Sequence, residues 1–200
     1  MEIPQVSFPK EDVNYIIPSW SDLDRLALKI SQEIIQSGKK FDRIVTLAKG
    51  GWPMSRSLVD YLEVSEVASI GIKFYAGINK RFKHPHVYQN IPVAVADETV
   101  LLFDDVADTG ESLQFAVDYL KAQGVGQITT ATLFYKPHSI YRPDFYGYET
   151  KDWIIFPYDA VEAIRMLAPK WQKDGVGEDE VRERLKRLGI REEVVRAYLS

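Results

Sequence analysis

Two adjacent carboxylates, Asp104 and Asp105, directly follow an apolar run, Val100-Leu101-Leu102-Phe103. Shortly after them comes a turn of small and hydroxyl residues, Asp108-Thr109-Gly110-Glu111-Ser112. An acid pair cannot hold phosphate; it suits sugar hydroxyls or a hard cation such as Mg2+. The turn opens a helical pattern in which Leu113, Ala116, Val117 and Leu120 share one face. A loop from the carboxyl end of a strand to the start of a helix offers free backbone N–H groups and the positive end of the helix dipole, and both favour phosphate. Phosphate at one end and hydroxyls or a metal at the other fit a phosphorylated sugar. The plainer alternative is a strand–turn–helix with a solvated acidic loop, which leaves an Asp-Asp pair beside a strand end in need of a partner.

Other residues could do chemistry. Lys49-Gly50-Gly51 follows a second apolar run, and a cation beside two glycines whose backbone can approach a ligand makes a second anion-binding loop. A Gly-Gly turn is also a common connector, so a bland turn stays open. Lys136-Pro137 ends a third β-rich run, where a surface lysine is the ordinary reading. Trp153-Ile154, followed by Pro157 and Asp159, has the ordinary reading of a core strand tryptophan. His84 and His86 stand among Lys80, Arg81 and Lys83, but two histidines at i, i+2 without a neighbouring acid make a poor zinc site. Either a mobile cationic loop that closes on an anion or a solvated loop fits them.

The elements that must position these groups alternate. Residues 1–18, with Pro4, Pro9 and Pro18, read as an extended arm. Ser19 or Ser21 caps a helix with Asp22 and Asp24 near its start, Leu23, Leu26, Ala27, Ile30, Ile34 and Ile35 on its apolar side, and Gly38 as its stop. Ile44–Ala48 is a buried strand; Pro53 starts a helix over Met54–Leu62; Val67–Tyr75 is a third strand. Residues 76–98 form a long polar interruption, expected as a lid or a disordered loop. After the central strand and helix come strands over Ile128–Tyr135 and Trp153–Pro157. Alternating strands and helices imply an α/β fold with a doubly wound parallel sheet and right-handed crossovers. The expected organisation is one domain over residues 1–174 and a helical C-terminal tail over 175–200. In the tail, Gly175-Val176-Gly177 is a hinge before helices at 178–188 and 191–199.

Bulk properties narrow the class. With 46% hydrophobic and 27% charged residues over 200 positions, the chain can bury a substantial core as one ordinary domain. A net charge of −4 argues against broad nucleic-acid binding. The absence of cysteine suits a reducing cytoplasm. No signal peptide and no membrane span are expected.

The stretch Val100–Ser112 resembles the phosphoribosyl-pyrophosphate (PRPP) signature of the type I phosphoribosyltransferases: apolar residues, two acids, two spacers, Asp-Thr-Gly, any residue, then Ser or Thr. The resemblance spans roughly residues 19–165. It implies a small hood beside the sheet, built from the arm and residues 137–159, and a homo-oligomer. Lys49-Gly50-Gly51 resembles the pyrophosphate loop of the hypoxanthine-guanine members, with Ala48 in place of their Leu; in those members the peptide before the lysine can be cis. Lys136-Pro137 and the run from Asp152 to Asp159 resemble the base-recognition segments of the 6-oxopurine enzymes.

Roles follow from the resemblance. Asp104 and Asp105 bind the ribose hydroxyls, directly or through Mg2+, with Asp159 near the metal and the base. Asp108, Thr109, Gly110, Glu111 and Ser112 hold the 5-phosphate, and Asp108 also accepts the N7 proton. Lys49, Gly50, Gly51 and Arg165 meet the pyrophosphate. Lys136 donates to O6, Trp153 stacks on the purine, and backbone carbonyls of Trp153 and Ile154 read the exocyclic group. The implied reaction is transfer from PRPP to N9 of hypoxanthine, guanine or xanthine in purine salvage. Two alternatives stay open: a transferase for another base, and a PRPP-sensing regulatory protein of the same fold. A PRPP synthase-like kinase is disfavoured, because no nucleotide-binding P-loop is present.

Overall fold

Apolar runs and helical patterns alternate along the sequence, and the computed structural model turns most of them into the expected elements. It describes residues 2–9, 11–77 and 80–199, with the backbone alone over 74–84. In chain order the first half comprises β1 (Gln5–Val6), β2 (Tyr15–Ile16), α1 (Trp20–Gln36), β3 (Arg43–Ala48), α2 (Trp52–Tyr61), β4 (Val67–Gly77) and β5 (Lys80–Gln89). The second half comprises β6 (Thr99–Ala107), α3 (Glu111–Ala122), β7 (Gln127–Tyr135), β8 (Phe145–Glu149), β9 (Trp153–Ile154), α4 (Ala160–Lys173), α5 (Glu178–Arg187) and α6 (Glu192–Tyr198). Two compact units result, Asp24–Lys151 and Met1–Leu23 with Asp152–Ser200.

The first unit holds a six-stranded sheet in the order β5-β4-β3-β6-β7-β8, parallel throughout except for the antiparallel β4–β5 pair. β3 and β6 lie at its centre because their apolar runs can be covered on both faces, as interior parallel strands must be. On one face Val45, Leu47, Ala68, Ile70, Val100 and Leu102 pack with Leu113, Ala116, Val117 and Leu120 of α3. Each such valine, leucine or isoleucine, fully buried, contributes about 1.5–3 kcal/mol. Strand order reverses between β3 and β6: β3 leads through α2 to β4, whereas β6 leads through α3 to β7 on the other side. Open α/β sheets bind ligands outside the carboxyl ends of strands at such a reversal.

The amino ends of the same strands are fastened by charge. Arg43, at the start of β3, donates to both oxygens of Glu98 at 2.8 and 2.9 Å and to Glu66 at 3.3 Å. These acids directly precede β6 and β4.

Three elements differ from expectation. Lys80–Gln89, expected within a loop, returns along β4 as an antiparallel edge strand with Ile72 opposite Val87 and Lys73 opposite His86. An edge strand pairs on one side only, so it tolerates polar residues and Pro85 where an inner strand would not. Ile78 and Asn79 of that expected loop lie outside the described residues. Phe145–Glu149, expected in the hood, instead closes the large sheet beside β7. Helix α4 is not among the expected elements; it buries Ala163, Ile164, Leu167, Ala168 and Trp171 despite Pro169 in its interior.

In the other unit β2 pairs antiparallel with β1 and parallel with β9, setting Tyr15 opposite Trp153 and Ile16 opposite Ile154. Residues 178–198, expected as a tail, share one apolar core with α4 and the arm, through Phe8, Tyr15, Trp171, Val181, Leu185 and Val195. The side chain of Glu11, 5% exposed, sits among them. It accepts from Tyr15 Oη at 2.5 Å and from Trp171 Nε1, with Arg184 at 3.9 Å and Lys170 at 3.5 Å. Among the described residues no helix is long and apolar enough to cross a membrane.

Candidate functional site

Because β3, β6 and β7 are parallel neighbours, the loops that leave their carboxyl ends stand side by side. The β3 loop is Lys49-Gly50-Gly51, entered through a cis peptide between Ala48 and Lys49. A Cβ built on Gly50 would lie 2.4–2.5 Å from the carboxylate atoms of Asp105, and one on Gly51 would lie 2.3 Å from Thr46 Oγ1 and 2.9 Å from the Phe103 carbonyl. Only glycine allows this approach. The lysine loop and the acid pair, separate in sequence, are therefore one surface, with Lys49 exposed upon it.

Asp104 and Asp105 end the apolar part of β6, and Asp105 is 9% exposed. Its backbone N–H donates to Asp104 Oδ1 at 2.9 Å. Burial, and then the adjacent Asp105 carboxylate, push the Asp104 carboxyl well above its usual range, against that hydrogen bond. Two buried hydroxyls without a hydrogen-bond partner, Thr46 Oγ1 and Thr132 Oγ1, stand on the flanking strands. Their residues are in register with Phe103 and Asp104. Buried polar atoms are usually paired, so these two single out the strands beneath the loops.

Beyond the acids the chain turns through Asp108 and Thr109, both exposed, into α3. Gly110 caps that helix at φ +82° and brings no side-chain acceptor, although Thr109 Oγ1 accepts from Glu111 N–H at 3.3 Å. The helix N-terminus, with Ser112 in its first turn, follows closely on the end of β6, and its free backbone N–H groups favour an anion. Lys136, whose ordinary sequence reading is a surface residue, is only 6% exposed at the end of β7. Its backbone N–H donates to Ala107 O at 3.0 Å, which joins the β7 loop to the β6 loop.

The structure thus gathers Lys49, Gly50, Gly51, Asp104, Asp105, Asp108 to Ser112 and Lys136 along the carboxyl edge of one sheet. The remaining sequence candidates belong to the other unit. Trp153 and Ile154 form β9, with the tryptophan 44% exposed rather than in a core. Asp159 caps α4, where burial first and Glu162 second raise its carboxyl to about 6. Arg165 is exposed on α4. One residue was not singled out from the sequence: His138 places Nε2 3.2 Å from Asp108 Oδ1. The only sequence signal for it is its place two residues beyond Lys136.

The family described as Phosphoribosyl transferase domain matches residues 19–162. Among solved structures, a purine phosphoribosyltransferase from Pyrococcus horikoshii is 30% identical at a TM-score of 0.65, with 72% of this chain and 93% of that one covered. A hypoxanthine-guanine phosphoribosyltransferase from Streptococcus pyogenes is 22% identical over 130 residues, 64% of this chain and 72% of its own. A uracil phosphoribosyltransferase from Wolinella succinogenes is 28% identical over 97 residues, 48% of this chain and 45% of its own.

Proposed function

Since the chain belongs to the phosphoribosyltransferase family, we propose that it transfers the 5-phosphoribosyl group of PRPP to N9 of a 6-oxopurine, releasing pyrophosphate, in purine salvage. The observation that carries the reading is the contact of Gly50 with the Asp105 carboxylate, which joins a cationic glycine loop to an acid pair beside the N-terminus of α3. A phosphorylated sugar that bears a pyrophosphate needs those three chemistries together.

In this reading the amides of residues 108–112, with the Thr109 and Ser112 hydroxyls, hold the 5-phosphate, and Asp104 and Asp105 take the ribose hydroxyls. The C1–oxygen bond breaks as pyrophosphate departs, C1 becomes cation-like, and N9 of the base closes on it. The site therefore has to stabilise departing negative charge rather than supply a nucleophile. Lys49 and the amides of Gly50 and Gly51 serve that end, and Arg165 is assigned to the pyrophosphate on the resemblance alone. Asp108 accepts the N7 proton. Lys136 donates to O6, which disfavours adenine, whose 6-amino group is itself a donor. Trp153 and Ile154 take the base on the strength of the resemblance, as does Asp159.

The acid pair also fits Mg2+. Two hard carboxylates in mutual repulsion form a donor set that a cation relieves, and Mg2+ keeps waters and substrate oxygens rather than an all-protein cage. Among the described residues no three metal-binding side chains gather into such a cage. Asp104 and Asp105 would hold the ion, with Asp159 added by the resemblance. Bound there, it would offset the charge of the leaving pyrophosphate.

The test is pyrophosphate release from PRPP and Mg2+ with hypoxanthine, guanine, xanthine, adenine, orotate and uracil side by side. Turnover confined to the 6-oxopurines supports the reading, and turnover with adenine alone refutes it. The Wolinella relative favours a second reading in which the base is uracil, whose 4-carbonyl could also meet Lys136. PRPP binding without turnover on any base would instead mark a sensor.

A further inference from the structure

We infer that His138 is a positioning residue for Asp108: from the loop after β7 it holds that carboxylate at the angle from which the N7 proton is taken. This rests on the proposed reaction. The ground for it is a set of three rungs between two loops. Lys136 N–H donates to Ala107 O at 3.0 Å, His138 Nε2 lies 3.2 Å from Asp108 Oδ1, and Ile140 N–H donates to Thr109 O at 2.9 Å. The outer rungs are backbone bonds. They tie the two loop backbones together on either side of the His138–Asp108 pair, which leaves its side-chain torsions to be fixed.

The β7 loop is itself braced. Ser139 N–H donates to Lys136 O at 2.9 Å, and Ser139 Oγ donates to Tyr141 O at 2.8 Å. A Cβ on Gly110 would lie 2.3 Å from Ser139 Oγ and 2.6 Å from Tyr141 N, so the two loops approach as closely as glycine permits. Against this backing the histidine, as its Nε2–H tautomer, donates to one carboxylate oxygen of Asp108 and leaves the other for the base.

The pair is not there for stability. The two side chains are 60% and 63% exposed, and exposed ion pairs contribute little. Orientation is what it can supply, because an acid on an exposed turn otherwise samples several rotamers, and proton transfer needs one of them. The placement matches the ligand as well. O6 and N7 share one edge of a 6-oxopurine, and a single short loop carries Lys136 for the first and the residue that aims the acceptor for the second.

The experiment compares single-turnover rates with PRPP, Mg2+ and hypoxanthine for wild type, Asp108→Asn, His138→Ala, His138→Gln and the double variant Asp108→Asn/His138→Ala. PRPP affinity is measured alongside by calorimetry. His138→Ala should slow the chemical step on the order of 5- to 10-fold at unchanged PRPP affinity. His138→Gln, whose Nε2 occupies a similar place, should recover most of that loss. In the Asp108→Asn background the His138→Ala change should cost nothing further, since a residue that acts through Asp108 has nothing left to position. The inference is overturned if His138→Ala runs at the wild-type rate, if glutamine rescues no better than alanine, or if the histidine loss is as large without Asp108 as with it. Asp108→Asn at full speed would overturn the proton-acceptor reading, and this inference with it. A slow Asp108→Asn beside a fast His138→Ala would overturn the inference alone.

Discussion

Gly50→Ala is the sharpest test of whether the lysine loop and the acid pair form one site. The new methyl would arrive 2.4 Å from Asp105 Oδ2 and 2.5 Å from its Cγ and Oδ1, whereas ordinary contact begins near 3.4 Å. A gap of about 1 Å must therefore open. If Asp105 gives way, swinging its carboxylate that far takes a torsion of about 30°, at about 0.5–1.5 kcal/mol for leaving its rotamer. If the loop gives way, overpacking costs about 1–3 kcal/mol. Either way the fold survives, since domains hold roughly 5–15 kcal/mol in reserve. The site fares worse, because a displacement of about 1 Å in a positioning group can cost about 100-fold. Calorimetry of PRPP with Mg2+, beside a thermal melt, reads both effects. The expected result is a melting temperature lowered by a few degrees together with a weakened PRPP affinity and, in the turnover assay, a rate lowered by about two orders of magnitude. Gly177→Ala is the control, since a methyl there meets nothing within 4 Å. Unchanged PRPP affinity in Gly50→Ala would refute the argument, for the methyl cannot enter without moving one partner or the other.

Other expectations can be checked directly. Lys136→Gln should weaken 6-oxopurines by about 1.5–3 kcal/mol in kcat/KM while sparing PRPP affinity, as the loss of a charged donor to O6 requires; lost PRPP binding with base preference intact would move Lys136 to the phosphate site. Asp159 has its carboxyl raised from 3.8 to about 6, so the folded state holds the proton more tightly. The stability this contributes is full below pH 3.8 and is lost as pH rises through about 6. In EDTA, Asp159→Asn should therefore equal wild type near pH 3.5 and exceed it at pH 7.5 by about 1 kcal/mol, discounted for partial exposure. A less stable variant at pH 7.5 would mean that the charge at the start of α4 matters more than its burial. Glu11→Gln should cost about 1.5–3 kcal/mol in denaturant unfolding, because it removes the charged acceptor of Tyr15 and Trp171, whereas Arg184 keeps Glu180 at 3.0 Å; an unchanged midpoint would make the cluster ornamental.

Much of this was legible in the residues, and what was not has physical causes. The span from Val100 to Leu120 reads correctly because an apolar strand, an acidic end, a glycine turn and an amphipathic helix each state their role locally. The helices at 178–187 and 192–198 read correctly for the same reason. Strand β5 is harder, since an edge strand can be polar and carry Pro85, and its partner rather than its composition makes it a strand. Helix α4 does carry a period, at Ala163, Ile164, Leu167, Ala168 and Trp171, but interior Pro169 masks it. In the site, the spacing of Gly50 and Gly51 announces a close approach without saying to what. His138 gave almost no signal, because its tie to Asp108 follows from the β6–β7 register, and register is not written in either strand alone.

The Arg43 clamp has a consequence for how this chain can change over generations. It fastens the amino ends of β3, β4 and β6, and the five residues Ile44–Ala48, about 20 Å of strand, lie between Arg43 and the lysine loop. Selection on robustness and selection on chemistry therefore act on opposite ends of the same strands. Lineages that trade Arg43, Glu66 and Glu98 for other fastenings would leave every group of the proposed site in place, so drift should collect at that end while the loops stay fixed. A library aimed at hardening the protein against heat belongs at the amino ends, where its hits would leave turnover untouched.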